Sequence, residues 1–288
     1  DPMKLRTLPE NKTYDPPGRC IYCLTPEPAA PLHTREHIVA YGLRGNLVFR
    51  RAVCEICKKK TQEIEEFCLK ETFRVPRIIA GWRSRHSPAP TTVRTGRPTP
   101  GMASEGVEWM DTPVEDAPLA YGSLNFARPG ILFGRAPHEG FRVRPGRPFS
   151  HKPYPEEWRK AGTTIIATVK PALWCRMIAK IAHAAAIAEL SFDAFVPYLP
   201  PIILGDDKNI GYFVGQAKRS FVKAPSTPHH IRLFIEAGYV VARVHVFPAL
   251  EFNDMEAVVG TPSPAFNARA LHAPKQILRA RPVKLPLI

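Results

Sequence analysis

The sequence predicts an α+β protein in three regions, because the residue composition and pattern change twice along the chain. Residues 1–86 contain four paired cysteines and a charged helix, residues 87–160 are rich in proline, and residues 161–288 alternate strand and helix patterns. Proline fixes φ and lacks an amide donor, so the middle region cannot form regular helix or central sheet. We therefore expect an N-terminal module, a connecting segment that partly docks, and a compact C-terminal α/β domain.

The N-terminal module is predicted to fold as strand, loop, strand and helix. Residues 35–39 and 47–53 favour the two strands, and glycines within residues 41–46 favour the loop between them. The helix is expected to begin at the second cysteine pair and to continue to about residue 71. Its expected inner face consists of Ile56, Ile64, Phe67 and Cys68.

The C-terminal region is predicted to contain one long helix and several strands. Pro171 favours a helix start, since proline is tolerated in the first helical turn. Residues 179–190 are mostly alanine, interrupted by Lys180 and His183, and are too short for a membrane span, so we interpret them as a packed helix. Strands are expected at 163–169, 210–215, 238–247 and 255–260.

Charge and composition favour a nucleic-acid partner. The chain has 40 basic and 26 acidic residues, a formal charge of +14, and a field of this sign attracts polyanions. Basicity alone fits an ordinary soluble protein equally well. Paired cysteines favour metal binding in a reducing compartment over disulfides, and no charged-then-apolar leader opens the sequence. We expect a cytoplasmic protein that binds nucleic acid and no membrane, and the sequence carries no signal of oligomeric state.

Two CxxC motifs predict a zinc site. A CxxC motif places two thiolates on one tight turn, and two such turns form a closed tetrahedral shell for Zn²⁺. Four thiolates leave the ion no open position, so this zinc is expected to be structural and to supply folding energy to a small module. The four expected ligands are Cys20, Cys23, Cys54 and Cys57.

A carboxylate followed directly by an imidazole, Glu36-His37, lies between the two cysteine pairs. These two groups together can hold a divalent ion and activate a water molecule. Without the cysteine frame, the pair is an ordinary strand dipeptide. Within that frame, we interpret it as a candidate hydrolytic site.

The stretch from Cys20 to Glu65 resembles the HNH endonuclease superfamily, the ββα-metal nucleases, in its zinc-stabilised form. The shared features are the two CxxC motifs, the string EHIVAYGLRGN, and Thr61-x-x-Ile64-Glu65 in the following helix. The string is similar to the EHI-x-x-x-LGGN segment of an uncharacterised bacterial branch of that superfamily. The specific match covers about a fifth of the chain.

This resemblance implies a metal-dependent endonuclease that hydrolyses DNA phosphodiesters. Glu36 is then a ligand to a catalytic Mg²⁺ or another divalent ion, His37 is the general base that deprotonates the attacking water, and Asn46 orients the base or the loop. Basic residues around the module are the expected nucleic-acid contacts, namely Arg35, Arg50, Arg51, Lys58 and Lys59.

Two positions depart from the family pattern. Lys58 follows the second CxxC, where active members usually have histidine or asparagine, and Arg44 replaces the first glycine of a Gly-Gly pair. A charged ammonium cannot be a metal ligand. Either Glu65, the better candidate, or Gln62 supplies the missing ligand and the site is active, or Glu65 only pairs with a nearby basic residue. In the second case Lys58 is expected to bridge to Glu36, and the protein is a catalytically silent zinc module that binds nucleic acid or a protein partner. A third alternative is that the C-terminal domain holds the main function and the zinc module only targets it.

Overall fold

The computed structural model describes residues 3–82, 88–98, 107–117, 119–121, 124–137, 143–145, 149–150, 156, 170–218, 229–247, 254–264 and 266. Over these residues the chain is a mixture of helices and antiparallel sheets, with one parallel strand pair. The first ten strands are β1 Met3–Thr7, β2 Lys12–Tyr14, β3 Leu32–His37, β4 Leu47–Cys54, β5 Thr92–Pro98, β6 Val107–Pro113, β7 Ala120–Tyr121, β8 Leu124–Phe126, β9 Val143–Pro145 and β10 Phe149–Ser150. The later strands are β11 Phe195–Pro197, β12 Val214–Gln216, β13 His229–Glu236, β14 Tyr239–Val246 and β15 Met255–Pro262.

The helices in the described residues differ greatly in length. The α-helices are α1 Glu55–Phe67, α2 Arg74–Ile79, α3 Pro171–Leu190, α4 Leu199–Leu204 and α5 Ile210–Phe213. A π-helical turn, Cys68–Thr72, extends α1, and 3₁₀ turns occupy Tyr41–Leu43, Gly130–Phe133 and Phe192–Ala194. The long helix α3 begins at Pro171, as the sequence predicts.

A six-stranded antiparallel sheet holds both ends of the described chain. Its strand order is β1-β13-β14-β15-β11, and β12 pairs with β15 beside β11. The strand β1 lies in the predicted N-terminal region yet pairs with β13, with Met3 opposite Ile235. The hydrophobic core likewise contains residues of both regions. The division at residues 86 and 161 stays a prediction.

A separate three-stranded sheet, in the order β2-β4-β3, forms the strand part of the N-terminal module. The strands β3 and β4 are antiparallel, with Glu36 opposite Phe49 and His37 opposite Val48. The helix α1 follows β4 directly, with Cys54 as its N-cap. The predicted succession of strand, loop, strand and helix is therefore present.

Helix α3 packs between the large sheet and the N-terminal module and is buried around its circumference. A helix that is apolar on all sides needs such a position, because it has no face suited to water. Lys180 and His183 are fully buried within it, so the prediction of a packed helix is confirmed. No helix in the described residues is both long and apolar enough to cross a membrane.

Described parts of the proline-rich region contact the rest of the protein at several points. The strands β5 and β6 form an antiparallel pair, and Val93 and Leu119 pack against α2. Ile131 and Leu132 pack on the outer face of the large sheet, and Phe126 joins the main core. These five apolar residues are thus in contact with neighbouring elements.

Two local predictions are wrong. Residues 210–215 are not one strand, because α5 occupies Ile210–Phe213 before β12 begins. A backbone bond from Asn209 to the Asp207 carboxylate fixes the turn before α5, so tertiary and turn contacts override β-propensity here. Ile56 is 74% exposed rather than internal. Cys57, three residues after Cys54, must face the other thiols, and this rotates Ile56 outward. The predicted strand 163–169 lies outside the described residues.

Candidate functional site

The four CxxC cysteines converge at the junction of the first turn, β4 and α1. Their Sγ atoms all lie within 4.8 Å of one another, and the Sγ atoms of Cys23 and Cys54 are 3.8 Å apart. A tetrahedral zinc site with Zn–S bonds of ~2.3 Å has sulfur atoms ~3.8 Å apart. The spacing therefore fits a structural zinc ion, as the sequence predicts.

Hydrogen bonding among the thiols also favours a thiolate at Cys20, the form that binds a metal cation. The Cys57 thiol lowers the pKa of Cys20 to about 5, since its hydrogen bond stabilises the Cys20 thiolate. The same bond raises the pKa of Cys57, and burial raises the pKa of Cys54. A bound Zn²⁺ takes thiolates as ligands and displaces these protons.

A second polar cluster lies where β3 and α1 face α3. Glu36 is inward-facing and buried on β3, and its Oε1 atom is 2.7 Å from the Lys180 ammonium. Glu65, on α1, places Oε1 at 2.6 Å from the same nitrogen. The predicted acidic residues are therefore brought together, and a lysine from the C-terminal region lies between them.

The Lys180 ammonium has a complete set of acceptors. Besides the two carboxylates, it donates to the backbone carbonyl of His37 at 2.7 Å. An ammonium has three N–H donors, and three acceptors surround this one. The distances are those of charge-assisted hydrogen bonds and exceed the ~2.1 Å that Mg²⁺ requires from oxygen. These oxygens are therefore arranged for an ammonium.

The charges of the cluster are mutually dependent. Burial alone lowers the pKa of Lys180, but the Glu36 and Glu65 carboxylates outweigh it and hold that pKa above its ordinary value. Burial raises the pKa of Glu65, and Lys180 opposes this effect. Lys180 therefore remains charged at physiological pH, and removing it leaves two carboxylates facing each other without a cation.

The first CxxC turn is linked to this cluster and to α3. Tyr22, inside the turn, donates from its hydroxyl to Glu36 Oε1 at 2.7 Å. Burial, followed by the Glu36 charge, raises the pKa of Tyr22 well above its ordinary value, so the phenol stays protonated. His183 donates from Nε2 to the carbonyl of Ile21 at 2.6 Å. The first CxxC turn thus has polar contacts to Glu36 and to α3.

His37 lies at the end of β3 and is half-buried, and its backbone carbonyl accepts the hydrogen bond from Lys180. Its Nδ1 donates to the Gly45 carbonyl at 3.1 Å, which leaves Nε2 as the nitrogen that can accept a proton. The Tyr41 ring contacts it edge-on, with centroids 5.5 Å apart. Asn46 is exposed at the far end of the same loop.

The expected bridge from Lys58 to Glu36 is wrong. The Lys58 ammonium pairs with Glu55, 3.4 Å away and three residues earlier on α1. Helical geometry directs these two side chains to the same outer face, whereas Glu36 lies behind α1. An ammonium does lie beside Glu36, but it belongs to Lys180 rather than to Lys58.

The predicted nucleic-acid contacts differ in their surroundings. Arg35, Arg50 and Lys59 are exposed. Arg51 is also exposed but donates to Glu27 at 2.6 Å and to the Leu32 carbonyl at 2.9 Å. Like Lys58, it already has a partner within the fold. The first three side chains are therefore the better placed for phosphate.

Among the described residues, the four cysteines form the one group of three or more potential ligand side chains close enough to hold a metal ion. Glu36, Glu65 and His37 do not form a second. Comparisons with family models, with curated proteins and with solved structures each give no match. The chemistry of the site therefore rests on its own geometry.

Sequence reasoning missed three residues of this cluster: Lys180, Tyr22 and His183. The usable signal was the pair of polar residues, Lys180 and His183, at positions i and i+3 within the otherwise apolar stretch 177–188. A buried charge requires a partner of opposite charge, and Glu36 and Glu65 were candidate partners. Tyr22 carried no comparable signal, because tyrosine is common in protein cores.

Proposed function

We propose that the protein is a zinc-stabilised nucleic-acid-binding module without nuclease activity. The zinc ion holds the first turn to the start of α1, and Lys180 takes the place that a catalytic divalent ion has in nucleases of the resembled superfamily. Binding is then electrostatic, through exposed arginine and lysine side chains.

One observation carries this proposal: the fully buried Lys180 ammonium between Glu36 and Glu65. A divalent ion cannot share that space with an ammonium. Displacing the ammonium breaks two buried ion pairs and leaves its charge without partners, which typically costs about 3–5 kcal/mol. Carboxylates that are already neutralised by lysine have little affinity left for Mg²⁺.

A metal-dependent endonuclease of the HNH type is the second candidate. The observation that favours it is the hydrogen bond from His37 Nδ1 to the Gly45 carbonyl. This bond orients the imidazole and leaves Nε2 to accept a proton, as a general base requires. In this alternative, Glu36 binds the ion only after Lys180 has moved.

Plasmid nicking separates the two candidates. Wild-type protein and His37→Ala are incubated with supercoiled DNA in Mg²⁺, Mn²⁺, Ni²⁺ or chelator, while binding of a labelled duplex is followed in parallel. The proposal expects binding by both proteins and equal background nicking in every condition. Divalent-dependent nicking by wild type, reduced at least ~10²-fold in His37→Ala, establishes the endonuclease instead.

A further inference from the structure

The loop between β3 and β4 has the features of a binding surface for an unpaired nucleotide. It comprises the 3₁₀ turn Tyr41–Leu43, then Arg44, Gly45 and Asn46. The Tyr41 side chain is 52% exposed, whereas Ala40 and Leu43 on either side of it are fully buried. The ring is therefore presented to solvent from a backbone that is anchored in the core.

The backbone of this loop is held in place on both sides. Gly45 approaches Val39 so closely that a Cβ atom would lie 1.9 Å from the Val39 carbonyl oxygen. The imidazole of His229, from β13, hydrogen-bonds the Leu43 carbonyl. Arg44 ends the turn in the left-handed conformation, with φ of 62°. A platform that is already ordered loses little entropy when it binds a ligand.

The exposed charged residues of β3, the loop and β4 are all basic. Between residues 28 and 54 the sequence has four arginines, and Glu36 is its one acidic residue. Glu36 is buried and paired with Lys180, so it adds no negative charge to this surface. Arg35, Arg44 and Arg50 are all exposed. The loop and its neighbouring strands thus combine an exposed aromatic ring with guanidinium groups.

We propose that Tyr41 stacks on an unpaired nucleobase while Arg44 contacts the adjacent phosphate. This inference rests on the proposed function and assigns it a ligand class, single-stranded nucleic acid. Aromatic rings stack on any base, and cationic side chains follow the backbone. Bases within a duplex already stack on each other, so they are not available to Tyr41 without unpairing.

Fluorescence anisotropy with oligothymidine, oligouridine and a duplex of equal length tests the assignment. Tyr41→Ala is expected to weaken single-strand binding by roughly 5-fold to 150-fold and duplex binding by less than about twofold, since only an unpaired base loses a stacking partner. Tyr41→Phe retains the ring and is expected to bind like wild type. Phe133→Ala removes an equally exposed ring, at 53% against 52%, and serves as the matched control.

Arg44→Gly tests the phosphate contact separately. Glycine adopts positive φ freely, so the turn is preserved while the guanidinium is lost. Weaker binding with a shallower salt dependence supports the contact. The inference is overturned if Tyr41→Ala binds single strands as wild type does, or weakens duplex binding equally. Absence of all nucleic-acid binding by wild type contradicts the proposed function itself.

Discussion

At the scale of single residues, Lys180 sets the chemistry of the candidate site. It brings a positive charge from α3 to two carboxylates that the sequence alone assigns to a metal ion. Glu65 illustrates the difficulty of that assignment. Its spacing on α1 is correct for an approach to Glu36, but spacing cannot reveal which cation lies between them.

Lys180→Met is expected to destabilise the protein and to allow a metal cation to bind between the two carboxylates. The variant should lose about 3–5 kcal/mol of unfolding free energy, the usual cost of leaving buried charges unpaired. Added Mn²⁺ should recover part of this loss, because Glu36, Glu65 and the His37 carbonyl then face a gap without a cation. Denaturant titrations with and without Mn²⁺ measure both effects.

The double variant Lys180→Met/Glu36→Gln is the control for metal rescue, since it lacks one of the two carboxylates. Lys59→Met, at an exposed lysine of α1, should leave unfolding unchanged. Equal stabilisation of all variants by Mn²⁺ contradicts a latent site at Lys180.

At the scale of elements, the two CxxC turns and α3 form one connected unit. The first turn contacts Glu36 through Tyr22 and contacts α3 through Ile21 and His183. Removing the metal should therefore loosen more than the cysteine cluster.

Purified protein is expected to contain one zinc ion per chain, with Zn–S distances of ~2.3 Å by X-ray absorption. Cys57→Ser should lose the ion and unfold at lower denaturant concentration, because metal binding contributes folding free energy. Cys175→Ser alters a fully buried thiol outside the cluster and should retain full zinc content. A zinc-free native protein, or disulfides among these cysteines, rules out the structural zinc.

We expect the contact between His183 of α3 and the Ile21 carbonyl to be lost in acid. Burial lowers its pKa from 6.5 to about 4, so the folded state binds its proton less readily than the unfolded state. Its contribution to stability is present above pH 6.5 and is lost as the pH falls through 4. Full loss amounts to about 3 kcal/mol for a shift of this size.

The measurement is urea unfolding of wild type and His183→Gln from pH 7 to pH 4, with zinc content followed in both. Glutamine can donate to the Ile21 carbonyl without titrating. Wild type should lose more stability than the variant across this interval. Parallel pH profiles exclude His183 as the source of acid sensitivity.

At the scale of the whole molecule, the proposed function predicts that the +14 charge and the exposed arginines govern nucleic-acid binding. Affinity for nucleic acid should fall steeply with salt, because counterions are released on binding. Each phosphate contact removed should reduce the log–log slope for duplex DNA by about 0.9.

Arg35→Ala and Arg50→Ala should each reduce this slope, since both side chains are exposed. Arg51→Ala and Lys58→Ala should reduce it less, because Glu27 and Glu55 already pair with these groups. Titrations of a labelled duplex at several salt concentrations compare the four variants. A slope that is the same for all four, or binding that does not change with salt, argues against the electrostatic surface.

Local patterns predicted much of the fold because they are set by neighbouring residues. The CxxC spacing, the proline at the start of α3 and the β-branched run of β14 each indicate their element directly. Two of the wrong predictions depend on distant contacts. Ile56 faces outward because the cysteines must converge, and Lys180 meets Glu36 only once α3 has docked on the module. The polar residues within the apolar stretch of α3 indicate that Lys180 needs a buried partner, but they do not identify the residues that supply it.

The pairing of β1 with β13 has a consequence for the order of events during synthesis. Met3 lies opposite Ile235, so the first strand cannot enter the sheet until more than two hundred further residues have left the ribosome. The four clustered thiols all lie within residues 20–57 and can meet much earlier. Local loops close faster than distant ones. The nascent module therefore has Glu36 and Glu65 in reach of each other before Lys180 is synthesised, and during that interval the ammonium that neutralises them in the folded protein is missing.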